Sequence, residues 1–176
     1  MYLIEAAKAM GVPIVITEQV PDKLGRTSKA VLDAAGITSV EGELHIPPDV
    51  LLESKTAFSM ATPAVGEWLK SRSISRAVLV GAETHVCVAQ TARDLAGNRI
   101  SVDVVAEGVS SIRAFDRRTA LNRMSAQAAG GVTVTSAEAV VFDWLRDATH
   151  PAFKQVQALV KSYASVAQGH TLANMK

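Results

Sequence analysis

Cys87, the only cysteine in a chain of 176 residues, stands where a thiol can act as a nucleophile. Ala77 to Val80 is a short valine-rich run that reads as a buried strand, and Gly81 allows the sharp turn that ends it. From about Thr84 the spacing is helical. Val86, Ala89, Gln90 and Arg93 lie on successive turns, and Val88, Ala92 and Leu95 make an apolar face. Strand, glycine turn and helix put Cys87 in the first helical turn, where unpaired backbone N–H groups and the positive end of the dipole favour thiolate over thiol. A lone cysteine is equally at home as a small core hydrophobe. Its place beyond the carboxyl end of a strand, where open α/β sheets bind ligands, is what argues for chemistry. The candidate partner is Lys55, an isolated lysine after an apolar segment and before Thr56, Ala57 and Phe58, although a lysine considered alone is usually a surface cation.

The elements that must position these residues follow from the hydrophobic periods. Residues 2 to 10 place Leu3, Ile4, Ala7 and Met10 on one helical face, closed by Gly11. Pro13 to Thr17 reads as a buried strand whose carboxyl end carries Glu18 and Gln19, so both are expected in the crevice of Cys87, or else to satisfy turn backbone. Asp22 to Ser28 is a polar loop that can reach over the site. Ser28 can cap a helix from Lys29 to Ala35, closed by Gly36. Ile37 to Asp49 reads as irregular, with Pro47-Pro48 excluding a helix and His45 a loop residue. Thr62-Pro63 is a helix start followed by Val65, Trp68 and Leu69. After the Cys87 unit come a strand from Ser101 to Ala106 and a helix from about Phe115 to Ala129, ending in Gly130-Gly131. Val132 to Thr135 is the last strand. Ser136 with Glu138 opens a helix through Leu145, and Pro151 to Tyr163 forms a final amphipathic one. Strands alternating with helices predict an α/β fold with a mainly parallel sheet, one domain over residues 1–165 and a polar tail over 166–176.

Composition excludes several classes of function. Eighteen basic against 17 acidic residues give no electrostatic reason to expect nucleic acid or an anionic membrane as partner. One cysteine rules out an internal disulfide framework and suits a reducing compartment. No run approaches a membrane span and MYLIEAAKAMG lacks the order of a signal peptide, so the cytoplasm is expected. Among His45, His85, His150 and His170 no pair is three to five residues apart, and neither a metal nor another cofactor is expected. His85, two positions from Cys87, points another way on a helix and is expected to line the pocket wall. Neither G-x-G-x-x-G nor G-x-x-x-x-G-K-[ST] follows a strand, and G-x-S-x-G is absent.

Gly81-x-x-Thr84-x-x-Cys87 after a valine-rich strand, together with Lys55-Thr56-Ala57-Phe58-Ser59-Met60, resembles the isochorismatase-like cysteine hydrolases, which include nicotinamidases and carbamoyl-amide hydrolases. The resemblance runs along almost the whole chain. Ile16-Thr17-Glu18-Gln19 with Pro21 and Leu24-Gly25, and His150-Pro151-x-Phe153-Lys154, resemble the isochorismatase-domain-containing subgroup in particular. This implies a Rossmann-like three-layer α/β/α fold and a triad of aspartate, lysine and cysteine, of which Lys55 and Cys87 match two. The family's aspartate ends a first strand that precedes the helix corresponding to Met1 to Met10. That strand is missing from this chain and the triad is incomplete as written. Two neighbouring strands would then keep unpaired edges. A longer protein whose sequence here starts at an internal methionine, and a shortened relative, are both open.

The resemblance implies that Cys87 attacks a carbonyl carbon of a small amide-type substrate, with Lys55 steadying the negative charge. Backbone N–H groups of Glu83 and Cys87 would hold the oxyanion around a cis Ala82–Glu83 bond. Gln19, Phe58, Thr84 and His85 would line the pocket, and the stretches near Trp144 and Phe153 could serve a homo-oligomer interface. Isochorismatases proper cleave a vinyl ether without needing the cysteine, so the resemblance does not fix the bond cleaved. The reading from another class is a member that keeps the fold and serves as a binding or interaction protein.

Overall fold

The computed structural model describes residues 1–126 and 130–173. In chain order the elements are α1 (Tyr2–Ala9), β1 (Ile14–Gln19), α2 (Pro21–Leu24), α3 (Lys29–Ala35), β2 (Thr38–Val40), β3 (Glu43–His45), β4 (Val50–Lys55) and α4 (Pro63–Ser71). They continue as β5 (Arg76–Ala82), a π-helical turn (Thr84–Val88), α5 (Ala89–Gly97), β6 (Ser101–Ser110), α6 (Ala114–Ser125), β7 (Val132–Thr135), α7 (Ala137–Leu145) and α8 (Phe153–Ala173). The chain divides into two compact units. One takes in Met1–Ile14, Thr27–Val50 and the stretch from Val141, the other Val15–Arg26 and Leu51–Val140.

The second unit carries the parallel sheet that the valine runs require. β5, β6 and β7 pair in that order, β5 with β6 from Arg76↔Ser101 to Leu79↔Val104 and β6 with β7 from Val102↔Val132 to Val105↔Thr135. Val102, Val104 and Val105 are wholly buried in the middle strand, and burying each contributes about 1.5–3 kcal/mol relative to exposure. Val88, Ala92 and Leu95 of the Cys87 segment pack on this sheet together with Ala120 and Met124 of α6. At the carboxyl end the β5–β6 register shifts between Leu79 and Gly81, so that Gly81 pairs with Val109. Gly108 sits opposite this bulge, where an added Cβ would lie 2.7 Å from Val80 Cγ1. β1 pairs with β4 in a separate two-stranded sheet. Among the described residues, β1, β4, β5 and β7 each keep one edge without a strand partner.

The first unit is mainly helical. Ala6 of α1, Val141 and Leu145 of α7 and Val156 of α8 form its buried cluster, with Leu3, Trp144 and Phe153 packed against it. The Tyr2 and Tyr163 rings stack at 4.4 Å.

Three segments differ from expectation. Residues expected to be irregular form an antiparallel hairpin, β2 with β3, in register from Thr38↔His45 to Val40↔Glu43. Its two-residue turn places both Glu41 (φ 53) and Gly42 (φ 86) in the left-handed region, the geometry that suits strand twist. Within the expected loop after Val20, a short helix α2 begins on Pro21, whose fixed φ suits a first helical position. α8 continues to Ala173, past Tyr163 where the final helix was expected to end. Ser28 precedes α3 but its hydroxyl makes no cap bond; the helix is closed by left-handed Gly36. The expected end of the α6 helix at Ala129 lies outside the described residues.

Candidate active site

Cys87 is delivered to the carboxyl end of β5 by a turn that is wound wider than an α-helix. Glu83 O accepts from Val86 N at 2.9 Å and from Val88 N at 3.4 Å, the second bond spanning five residues. π-turns of this kind inside helices recur at functional sites. The turn is anchored from below by Thr84, wholly buried, whose hydroxyl donates to Ser110 O at 2.9 Å. Cys87 itself is half-buried and carries a free thiol. The expected cis bond at Ala82–Glu83 is corrected: among the described residues no peptide bond is cis. The chain reverses instead through positive φ at Gly81 (142) and Glu83 (57).

Lys55 ends β4 and is buried. Its Nζ donates to Gln19 Oε1 at 2.6 Å, Ala57 O at 2.9 Å and Phe58 O at 2.9 Å. An ammonium has three N–H donors and a neutral amine two, so this set of pure acceptors suits the charged form. Burial pushes the lysine below its ordinary pKa, while the charges of Cys87 and then Glu53 pull it back up. Glu53 accepts the Thr62 hydroxyl at 2.7 Å, and Thr62 in turn caps α4 by accepting from Val65 N at 3.2 Å.

Gln19 and Glu18 part company. Gln19 meets Lys55 and donates through Nε2 to Thr56 O at 2.7 Å. Buried Glu18 lies instead beside Ser54 Oγ and Arg26 Nη1, each at 3.5 Å from Oε2. Successive strand residues face opposite sides, which corrects the expectation that both enter one crevice. At the rim, His85 Nδ1 lies 3.2 Å from Ser111 Oγ and 3.4 Å from Glu83 Oε2, and its Nε2 lies 3.9 Å from Asp116 Oδ2. The Arg113 guanidinium donates to Asp116 at 2.7 Å and holds that carboxyl below its usual range. Phe58 contributes its carbonyl to Lys55 while its side chain is exposed.

Sequence reasoning missed Thr91. It is wholly enclosed in α5, donates to Cys87 O at 2.7 Å and accepts from Met60 N at 2.9 Å. Only its place four residues after Cys87, the spacing at which a helical threonine reaches back to a carbonyl, was there to be read. Among the described residues no group of three or more His, Cys, Asp or Glu is arranged to hold a metal ion.

The arrangement is a half-buried free thiol beyond the carboxyl end of β5 and a buried cation at the end of β4. Residues 2–139 match the isochorismatase domain. The chain belongs to the isochorismatase family. It is 35% identical over 169 residues to a secreted isochorismatase effector from Phytophthora sojae, covering 95% of this chain and 75% of that protein. It is 36% identical to isochorismatase domain-containing protein 1 of Danio rerio over 90% of this chain, and spans about half, 51%, of that relative's length. Among solved structures, one described as a MAR1 ribonuclease from Caenorhabditis elegans superimposes with a TM-score of 0.77 at 33% identity, covering 90% of this chain and 74% of the other. The isochorismatase-family fold is α/β with mainly parallel strands, as the alternation of elements predicts.

Proposed function

We propose that this isochorismatase-family hydrolase uses Cys87 as a nucleophile on an amide-type C–N bond of a small molecule, with Lys55 as a fixed positive charge beside it. The observation that carries the reading is a buried lysine, its hydrogen bonds given to Gln19, Ala57 and Phe58, on a segment that the Thr91 hydroxyl bonds to the turn carrying Cys87. A lysine so committed acts through its field and has no hydrogen left over to give. The thiolate sulfur bonds to the carbonyl carbon, and the C–O electron pair moves onto oxygen towards N–H groups of Glu83 and Cys87. Collapse of that intermediate breaks the C–N bond and expels the amine, which takes a proton from a water molecule at the site, and a second water then cleaves the thioester to acid and free thiol.

A second reading, a member that binds a small molecule or a partner without turnover, has one observation in its favour. Proton delivery to the amine needs an acid, and Glu53, the carboxylate whose charge Lys55 feels, is engaged with Thr62. The proposed setting is the cytoplasm, as a homo-oligomer. The lone cysteine supports the first, and Ile112 and Phe115, exposed at the surface, are compatible with the second. RNA is the less favoured substrate, since 18 basic against 17 acidic residues give no electrostatic reason to expect it, although one structural relative is described as a ribonuclease.

The test is incubation with a panel of small amides and an RNA oligonucleotide, following ammonia release, RNA cleavage and the intact mass of the protein. Amide turnover with an acyl adduct on Cys87, both lost in Cys87→Ala, is expected. Hydrolysis that survives Cys87→Ala overturns the nucleophile. Tight binding with no release establishes the second reading.

A further inference from the structure

We infer that Thr91 is a positioning residue: its hydroxyl ties the segment that encloses the Lys55 ammonium to the turn that carries Cys87, and so fixes the spacing of the two. This rests on the proposed role of Cys87 and Lys55. The hydroxyl bonds both segments at once, giving its hydrogen to Cys87 O at 2.7 Å and receiving Met60 N–H at 2.9 Å. Met60 lies two residues beyond Phe58, whose carbonyl accepts from Lys55 Nζ, and next to Ser59, whose hydroxyl accepts from Ala61 N at 3.1 Å. The loop is thus clamped at one end by the lysine and at the other by Thr91. A threonine bonded only to the carbonyl four residues back is ordinary in a helix; the Met60 bond is what makes this one a bridge. With Thr91 at 1% exposure, water does not reach the hydroxyl to replace either contact. Removing it leaves the Met60 N–H without its partner and frees the loop to carry the ammonium away from the sulfur.

The experiment measures iodoacetamide alkylation of Cys87 against pH in the wild type, Thr91→Val, Thr91→Ala and Thr91→Ser, with urea unfolding to establish that each is folded. Thr91→Val and Thr91→Ala are expected to react about tenfold more slowly at pH 7, with the midpoint of the profile about one unit higher, and Thr91→Ser to restore the wild-type profile. The alanine variant keeps the comparison open should the valine variant not fold. An activated wild-type profile that is unchanged in the folded hydroxyl-less variants overturns this inference alone. A wild-type profile that Lys55→Ala leaves unaltered overturns the nucleophile reading, and this inference with it.

Discussion

Gln19 Oε1 receives Lys55 Nζ at 2.6 Å while the amide nitrogen of the same side chain donates to Thr56 O at 2.7 Å, so one glutamine both takes up the cation and fastens the chain just beyond it. Gln19→Leu keeps the bulk and removes both bonds. A loss of about 1–3 kcal/mol in urea unfolding is expected, because the lysine keeps its charge and loses an acceptor. An unchanged urea midpoint would show that the two bonds contribute nothing net.

Stability should carry the signature of Lys55 at alkaline pH. Its folded pKa lies below the ordinary 10.5 because burial outweighs the attraction of Cys87 and Glu53. Between the depressed value and 10.5 the unfolded chain binds more protons at this site, so unfolding free energy rises with pH across that window. Below it, the cost of burying the charge is fully present and constant. Lys55→Met lacks the rise, and urea midpoints of the two proteins measured from pH 7 to 10.5 should show the difference between wild type and variant growing in favour of the wild type.

Gly108→Ala tests the bulge. The new Cβ would meet Val80 Cγ1 at 2.7 Å, closer than carbon atoms tolerate, and Val105 Cγ1 at a tight 3.2 Å. Val80 must move, and Val80 is two residues from the end of β5. A destabilisation of about 1–3 kcal/mol is expected, together with slower Cys87 alkylation; full stability would mean that the strand end yields at no cost.

Arg76→Ala is the control at the opposite end of the same strand. Arg76 Nε donates to buried Asp103 at 2.5 Å. Losing that partner should cost about 1–3 kcal/mol, part of it recovered by adding Asp103→Asn, since an uncharged amide is cheaper to leave buried. Cys87 alkylation should be unchanged, as the pair sits at the amino end of β5.

Much of the site was legible because its parts announce themselves locally. A valine run, a glycine and a lone cysteine define the β5 unit, and Thr62-Pro63 marks the start of α4, whose hydroxyl cap the structure contains. What escaped depends on contacts between distant segments or on backbone detail without a residue signature. The bond between Thr91 and Met60 joins residues 31 apart, and nothing in either side chain points to the other. The π-turn has the same apolar spacing as an α-helix, so Val88 and Ala92 look alike in either. The hairpin of β2 and β3 was hidden by its charges: Glu41-Gly42 is a fair two-residue turn, but Glu43 and His45 are not strand formers, and all six strand residues are exposed.

The saturation of Lys55 has a consequence for how a reaction there would respond to its surroundings. Its hydrogens are committed to oxygens of the protein itself, so the field at the sulfur exists before any ligand arrives and no side chain has to be reoriented when negative charge develops. The lysine is also shielded from solvent, where mobile ions would otherwise damp its influence within about 8 Å at physiological ionic strength. Dissolved salt therefore weakens the exposed Arg113–Asp116 pair well before it damps the field of Lys55, and on the proposed role of Cys87 the reaction should depend less on ionic strength than the capture of a charged molecule does.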